Sequence, residues 1–496
     1  MARARSKSEE SQPLLSSDIS RTNSYGGPPL RKISLNPPHE FDYFIRANTE
    51  SLVSDQEGAP PILPDSNKQS SLVTIFVLWN TMVGTSLLTM PWGLERAGFA
   101  MGILLVMGMA TLCCYTAHCV VSTQAAYGPP GGEISELTRH LLGRKAEILS
   151  KIFSYIVLAG ALIVYWILMT NFLYFIVDFI YTEISGGFDQ STINGTVRCF
   201  PEAVATNVTI SDEQTTFQKW WSLNLSVPIY LALLVGPLLS FKSVTFFTKF
   251  NSLGTLSLMY LMVFVMVKAF NSGWNLDLSD PSSPNYAKLF KTSFFATSGM
   301  LAMSYFLQNI VITIMRSNRN QKNNTRDLAI AYSLGMGTYL VIGILFYASF
   351  PLRKSCIADN LLNNFASWDV GTLVARVFLF FQLVTVYPLI SFMLRYQVMT
   401  AFFAKPFPSR LHVIAFNAVV VIVCVLFAVF LPKIGTIIRF TGALSGFFHV
   451  FTLPCLLRLA GQKQAGKLSC FSLFLNLAIP LAGGINLIAQ FFVSDS

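Results

Sequence analysis

The chain is predicted to be an all-α polytopic membrane protein. About eleven transmembrane helices are expected, arranged as a five-plus-five inverted repeat in which helices one and six are broken. Three observations carry that expectation. Of 496 residues, 53% are hydrophobic and only 12% charged, with a mean hydropathy of +0.53, whereas soluble domains carry about 25% charged residues. The apolar residues fall in runs of the roughly 20 residues that a helix needs to cross a bilayer. Two of those runs, five apart, are interrupted by small and hydroxyl residues where a helix meant only to cross lipid would carry Leu, Ile and Val.

Residues 1–70 are polar and rich in Ser, Pro and charge. They hold too few apolar side chains for a core and are expected to form a disordered cytosolic tail. No cleavable signal peptide opens the sequence, so the first apolar span is expected to act as the targeting signal. Within the tail, Glu10, Leu14 and Leu15 have the spacing of an acidic-dileucine endolysosomal sorting signal, which clathrin adaptors would read. Arg21–Ser24 and Arg31–Ser34 resemble basophilic kinase sites, where a phosphate would add nearly two negative charges. Ordinary disordered tail is the competing reading of both.

The membrane domain is expected over 71–493, with spans near 72–97, 99–123, 149–181, 225–241, 250–271, 290–314, 328–350, 369–396, 411–431, 435–458 and 470–492. One alternate set of loops carries more Lys and Arg, including Arg139, Arg144, Lys242, Arg316, Arg326, Arg395 and Arg458. The positive-inside rule places that set and the tail in the cytosol. An odd number of spans then puts the C-terminus on the lumenal side. The longest opposite loop, 182–222, holds sequons at Asn194 and Asn207, which serve as glycosylation acceptors only on that side. Six of the eight cysteines lie in or beside apolar segments. The other two, Cys199 and Cys356, fall in polar loops of the oxidising face and are expected to pair.

The first span reads Trp79-Asn80-Thr81-Met82-Val83-Gly84-Thr85-Ser86 through its centre. Unpaired backbone groups are too costly in hydrocarbon for a broken helix to face lipid, so such a break lies within protein or against a cavity. Unwinding frees N–H groups on one half-helix, suited to a carboxylate, and C=O groups on the other, suited to an ammonium or a sodium ion. Thr81, Met82, Gly84, Thr85 and Ser86 are the candidate substrate contacts. Ser298 and Gly299 join them from an expected second break at Ala296–Met300. No Asp, Glu, Lys or Arg stands near the middle of either span, which fits a zwitterion held by backbone dipoles. The alternative is that these small residues only let helices pack closely. In the eighth span, Thr385 could supply a hydroxyl to sodium, a hard cation that takes oxygen ligands, with Asn80 opposite. Arg376, two turns into that span, is read as structural or gating. Tyr165-Trp166 and Thr170-Asn171 form either packing or a pathway face, and His449 is read as packing.

The net charge of +10 does not indicate a nucleic-acid partner, because the basic residues sit in short loops and the tail. The membrane domain carries no nucleophilic triad, P-loop, paired-carboxylate site or Cys/His metal spacing, so no enzyme activity and no bound cofactor are expected.

Several stretches resemble the amino acid/auxin permease family. They are Trp79–Met82 with Gly84–Ser86 and Met90–Gly93, then Ala161–Leu173, Asn323–Leu328, Thr385–Pro388 and Ile437–Ala443. The resemblance covers nearly all of 71–493 and is nearest to the family's lysosomal members. It implies lysosomal residence and transport of arginine, glutamine, leucine or other large amino acids, with sodium at the positions of Asn80 and Thr385. It implies the same substrate-contacting turn and a Cys199–Cys356 disulfide. Two departures stand out. Gln308-Asn309 replaces the His-Asn common in relatives. The tail is also shorter than the tyrosine-rich segment with which lysosomal members bind the Rag GTPases and Ragulator, and Phe41–Arg46 is only a faint echo of it. The rival functions are an amino-acid sensor signalling through the tail and a plasma-membrane carrier for another solute.

Overall fold

The computed structural model describes residues 68–186, 197–199, 217, 220–239, 245–403, 405 and 407–493, with the side chains of 245–253 excepted. Glu10, Leu14, Leu15, Asn194 and Asn207 lie outside the described residues.

The first span begins at α1 (Ser71–Val83), capped by Ser70, whose hydroxyl accepts from Val73 N. It stops at Gly84, where φ is 29° and ψ −150°. That left-handed backbone suits a residue without a Cβ. A 3-10 turn, Thr85–Thr89, then leads into α2 (Met90–Ala97). Pro91 sits in its first turn, where a missing N–H breaks no helical bond. The two halves are bent by 47°.

The chain continues through α3 (Phe99–Tyr127), α4 (Ile134–Leu142) and α5 (Arg144–Ile184). Next come α6 (Ser226–Leu239), α7 (Thr245–Ser272), α8 (Phe294–Ser304) and α9 (Val311–Arg316). Then follow α10 (Asn324–Ser349), α11 (Val370–Phe403) and α12 (Arg410–Phe430). Finally α13 (Ile434–Gly446) passes through a π-helical turn, Phe447–Thr452, into α14 (Leu453–Gln464), and α15 (Cys470–Ala489) follows. The described residues form helices joined by loops, with isolated β-bridges in place of strands.

Among the described residues, eight helical segments are long and apolar enough to cross a membrane, and the bent α1–α2 pair makes a ninth. That is fewer than the eleven expected. The shortfall falls at the expected fourth and sixth spans, where α6 and α8 are apolar helices of 14 and 11 residues. At about 1.5 Å per residue neither alone covers a hydrocarbon core of about 30 Å.

The sixth span is broken, but not at Ala296–Met300. Those residues are helical and buried within α8, and the interruption covers 305–310, between α8 and α9. The small residues serve close approach instead. A Cβ added to Gly299 would stand 2.8 Å from Arg439 O, and one on Gly442 would stand 2.2 Å from Gly299 O. The backbones of α8 and α13 are therefore in direct contact, as small-residue stripes in membranes allow. The core forms where α8 packs on α13, and where α5 packs on α11, α12 and α13.

Candidate functional site

Both breaks end in freed carbonyls, and one side chain reaches both. On α10, the Tyr339 hydroxyl lies 2.7 Å from Met82 O, 3.4 Å from Val83 O and 3.1 Å from Ser304 O. A phenol has a single proton to donate, so these carbonyls keep most of their accepting capacity. The Ser86 side chain also interacts with Tyr339, and the Thr85 side chain with Tyr165 of α5. Two tyrosines from separate helices thus flank the first turn after the break.

The remaining expected residues are placed as follows. Trp79 Nε1 donates to Thr338 Oγ1 at 3.0 Å, which ties α1 to α10. The Thr81 hydroxyl donates to Val77 O at 2.7 Å, within its own helix. The Met82 side chain is buried and reaches Gly335. Asn80 Oδ1 is buried and accepts no hydrogen bond from the described residues. Thr385 is 6% exposed, and its hydroxyl donates to Gln382 O at 2.8 Å. Its oxygen lone pairs remain available. Ser298 donates to Phe295 O and to Asn486 Oδ1 of α15. Ser298 and Gly299 therefore make their contacts with α15 and α13, away from the turn at Thr85–Ser86. On α5, Trp166 Nε1 and Thr170 Oγ1 are buried polar atoms that find no partner among the described residues. The Trp166 ring lies 5.4 Å from that of Tyr387.

Tyr339, Tyr305 and the inner part of the loop after α10 were not singled out from the sequence, and Gln308 was noted only as a departure from relatives. Tyr305, in the second break, is fully buried, its hydroxyl has no partner among the described residues, and its ring meets that of Tyr339 edge-on at 5.3 Å. Gln308 satisfies the unwound backbone there: its Oε1 accepts from Leu307 N, and its Nε2 donates to Cys113 O and Thr116 Oγ1. The available signal was a polar residue pair, Gln308-Asn309, inside an apolar run.

The last of these is the loop after α10. Cys199 and Cys356 are disulfide-bonded, as expected. Beyond them a 3-10 turn, Leu361–Asn364, packs against the Thr85–Thr89 turn. Asn360 Nδ2 donates to Asn171 Oδ1 of α5 at 3.1 Å, and Gly435 N of α13 donates to Asp359 Oδ2 at 3.0 Å. The disulfide-bearing loop thus reaches inward to the first break.

The chain is similar to known proteins along most of its length. The family described as "Transmembrane amino acid transporter protein" matches residues 67–490. The Sodium-coupled neutral amino acid transporter 9 homolog of Caenorhabditis elegans is 40% identical over 483 residues, covering 91% of this chain and 77% of that protein. The Neutral amino acid transporter 9 of Xenopus tropicalis is 41% identical over 479 residues, covering 92% and 85%. Among solved structures, MhsT in complex with L-phenylalanine superposes with a TM-score of 0.53 at 11% identity, covering 86% of this chain and 99% of that one. That likeness concerns the fold.

Proposed function

The chain belongs to the transmembrane amino acid transporter family, and from that premise we propose that it moves arginine-, glutamine- or leucine-like amino acids out of the lysosome by sodium-linked alternating access. That it is a multi-pass amino-acid transporter and not an enzyme follows from the family. The substrate range, the coupling ion and the compartment are the proposal.

The observation that carries it is the apposition of Met82, Val83 and Ser304 carbonyls across Tyr339, beside the first N–H groups of the Thr85–Thr89 turn. A carbonyl cluster attracts an α-ammonium, and unsatisfied N–H groups at a helical start attract an α-carboxylate. The site therefore reads the part common to all amino acids, without a charged side chain. For sodium as a co-transported ion, Asn80 Oδ1 is a buried oxygen without a partner among the described residues, and the Thr385 oxygen has free lone pairs. Both are hard donors of the type the ion takes. The worm relative is named as sodium-coupled.

The disulfide-bearing face is assigned to the lumen, with glycans at Asn194 and Asn207, and the dileucine signal is assigned to clathrin adaptors. A sensor role through the Rag GTPases and Ragulator is kept as the second reading because of one contact. Gln69 N donates to Ser317 O at 2.8 Å and Arg319 N to Gln69 O at 2.8 Å, so the tail leaves the membrane domain beside the end of the broken sixth span.

The test is uptake of a panel of labelled amino acids into proteoliposomes with and without a sodium gradient. Saturable, sodium-stimulated uptake of large amino acids is expected. Uptake of none of them would overturn the reading, and uptake indifferent to sodium would remove the coupling ion.

A further inference from the structure

We infer that Arg376 is the latch that holds the Leu361–Asn364 turn down over the first-span break, so that release of this one contact opens the site toward the disulfide-bearing face. The inference rests on the proposed transport reading for its purpose, but not for its geometry.

Arg376 lies on α11 and is 1% exposed. Its Nη2 donates to Leu362 O at 2.9 Å. Its guanidinium carbon stands 4.1 Å from the centre of the Phe175 ring, and its Nε is buried and finds no partner among the described residues. Two carboxylates act on it electrostatically, Asp369 and Asp178. Asp369 is already engaged: Lys268 Nζ lies 2.5 Å from it, and the Thr372 hydroxyl donates to it. Asp178, across on α5, is the carboxylate left to balance Arg376. A buried cation whose only direct hydrogen bond among the described residues is to a neutral backbone carbonyl is a costly way to staple two elements. It suits a contact that can be exchanged, because a neutral carbonyl holds the charge less firmly than a carboxylate would.

The turn it holds is built to move as a unit. Leu361 and Leu362 are fully buried. Asn364 braces the loop from within: its Oδ1 accepts from Ala358 N, and its Nδ2 donates to Cys356 O and Arg198 O. The Cys199–Cys356 bond fixes the outer end. The inner end touches Thr85–Thr89 and is held by an amide contact to α5, by the Asp359 carboxylate accepting from Gly435 N of α13, and by the Arg376 contact to α11. Losing a hydrogen bond to a charged group costs about 1.5–3 kcal/mol, which is a shift of tenfold or more in a two-state equilibrium. Arg376 is thus a positioning residue. It does not touch the substrate, but it sets how often the site is covered.

The experiment uses the full-length protein in proteoliposomes. Asn363→Cys reports the turn, and Ser282→Cys, on an exposed loop, reports general accessibility. Each is labelled with a membrane-impermeant maleimide, alone and combined with Arg376→Gln or Arg376→Lys. The expected result is labelling of Asn363→Cys faster by about tenfold with Arg376→Gln. An intermediate rate is expected with Arg376→Lys, which keeps a charge but loses the planar fork, with no change at Ser282→Cys. Equal labelling of Asn363→Cys in all backgrounds overturns the latch, as does a parallel rise at both positions. If Arg376→Gln is not recovered as a monodisperse protein, Arg376→Lys alone decides by the same criteria. Labelling needs no substrate, so a wild-type protein that moves no amino acid would defeat the proposed function and leave this result standing.

Discussion

The Tyr339 hydroxyl lies 2.7 Å from the Met82 carbonyl, and the same oxygen lies 3.1 Å from that of Ser304. One side chain of α10 therefore ties the ends of α1 and α8 together, and with them the two breaks on which an inverted-repeat transporter depends. Tyr339→Phe keeps the ring and removes the O–H. Loss of a buried hydrogen bond of this kind costs about 1–2 kcal/mol, so the variant should fold and melt a few degrees lower in detergent. Uptake should fall by about tenfold or more, because a small misplacement of reacting or binding groups is costly. Wild-type uptake by a protein carrying Tyr339→Phe would show that the bridge is packing alone.

Asn80 and Thr385 are proposed for the ion from complementary features, a buried amide oxygen without a partner among the described residues and a hydroxyl whose proton is already given to Gln382 O. Thr385→Ala should raise the sodium concentration for half-maximal uptake by about tenfold, the worth of one good ligand oxygen, with little change in melting temperature. Titrating uptake against sodium at fixed amino acid checks this. An unaltered sodium response would take Thr385 out of the ion site.

Lys354 is buried in the loop after α10, and its ammonium donates to the carbonyls of Asn275, Tyr347 and Phe350 at 2.8–2.9 Å. Beside it, Glu95 pairs with Lys291 and accepts from the Tyr347 hydroxyl. Burial pushes Lys354 down from 10.5 to about 8, with the Glu95 charge opposing. Between about 8 and 10.5 the unfolded chain then binds more protons than the folded one, so this group makes stability rise with pH across that window. The penalty is fully present below about 8. Lys354→Met should abolish that pH-dependent rise in melting temperature. It should also cost about 3 kcal/mol at neutral pH by leaving three buried carbonyls without a donor. A melting curve with the same pH slope as wild type would contradict the assignment.

How much of this was legible in the sequence differs by element. The first break was readable because Gly84 stands amid Asn80, Thr81, Thr85 and Ser86, and close packing of small residues does not account for the amide of Asn80. The second break was misplaced for a physical reason. Ala296–Met300 has the small, hydroxylated composition of a break, yet the same composition also lets α8 and α13 touch, as Gly299 and Gly442 do. The true interruption at 305–310 is marked by Gln308, which caps freed backbone. Tyr339 was invisible because a lone tyrosine in an apolar helix acquires its role only from what tertiary packing brings to it. The Cys199–Cys356 bond followed from loop chemistry, whereas the inward reach of Leu361–Asn364 could not be seen in a stretch that reads as an ordinary polar loop.

The central claim is that the turn after Gly84 is where the amino acid binds. Thr85 is half-buried and interacts with Tyr165, and a Trp in its place would fill the space before the turn. Counterflow of a labelled amino acid into proteoliposomes, wild type beside Thr85→Trp, tests this most directly. Robust exchange is expected of wild type, and none of a Thr85→Trp protein that is still monodisperse and disulfide-bonded. Normal exchange by that variant would contradict the claim.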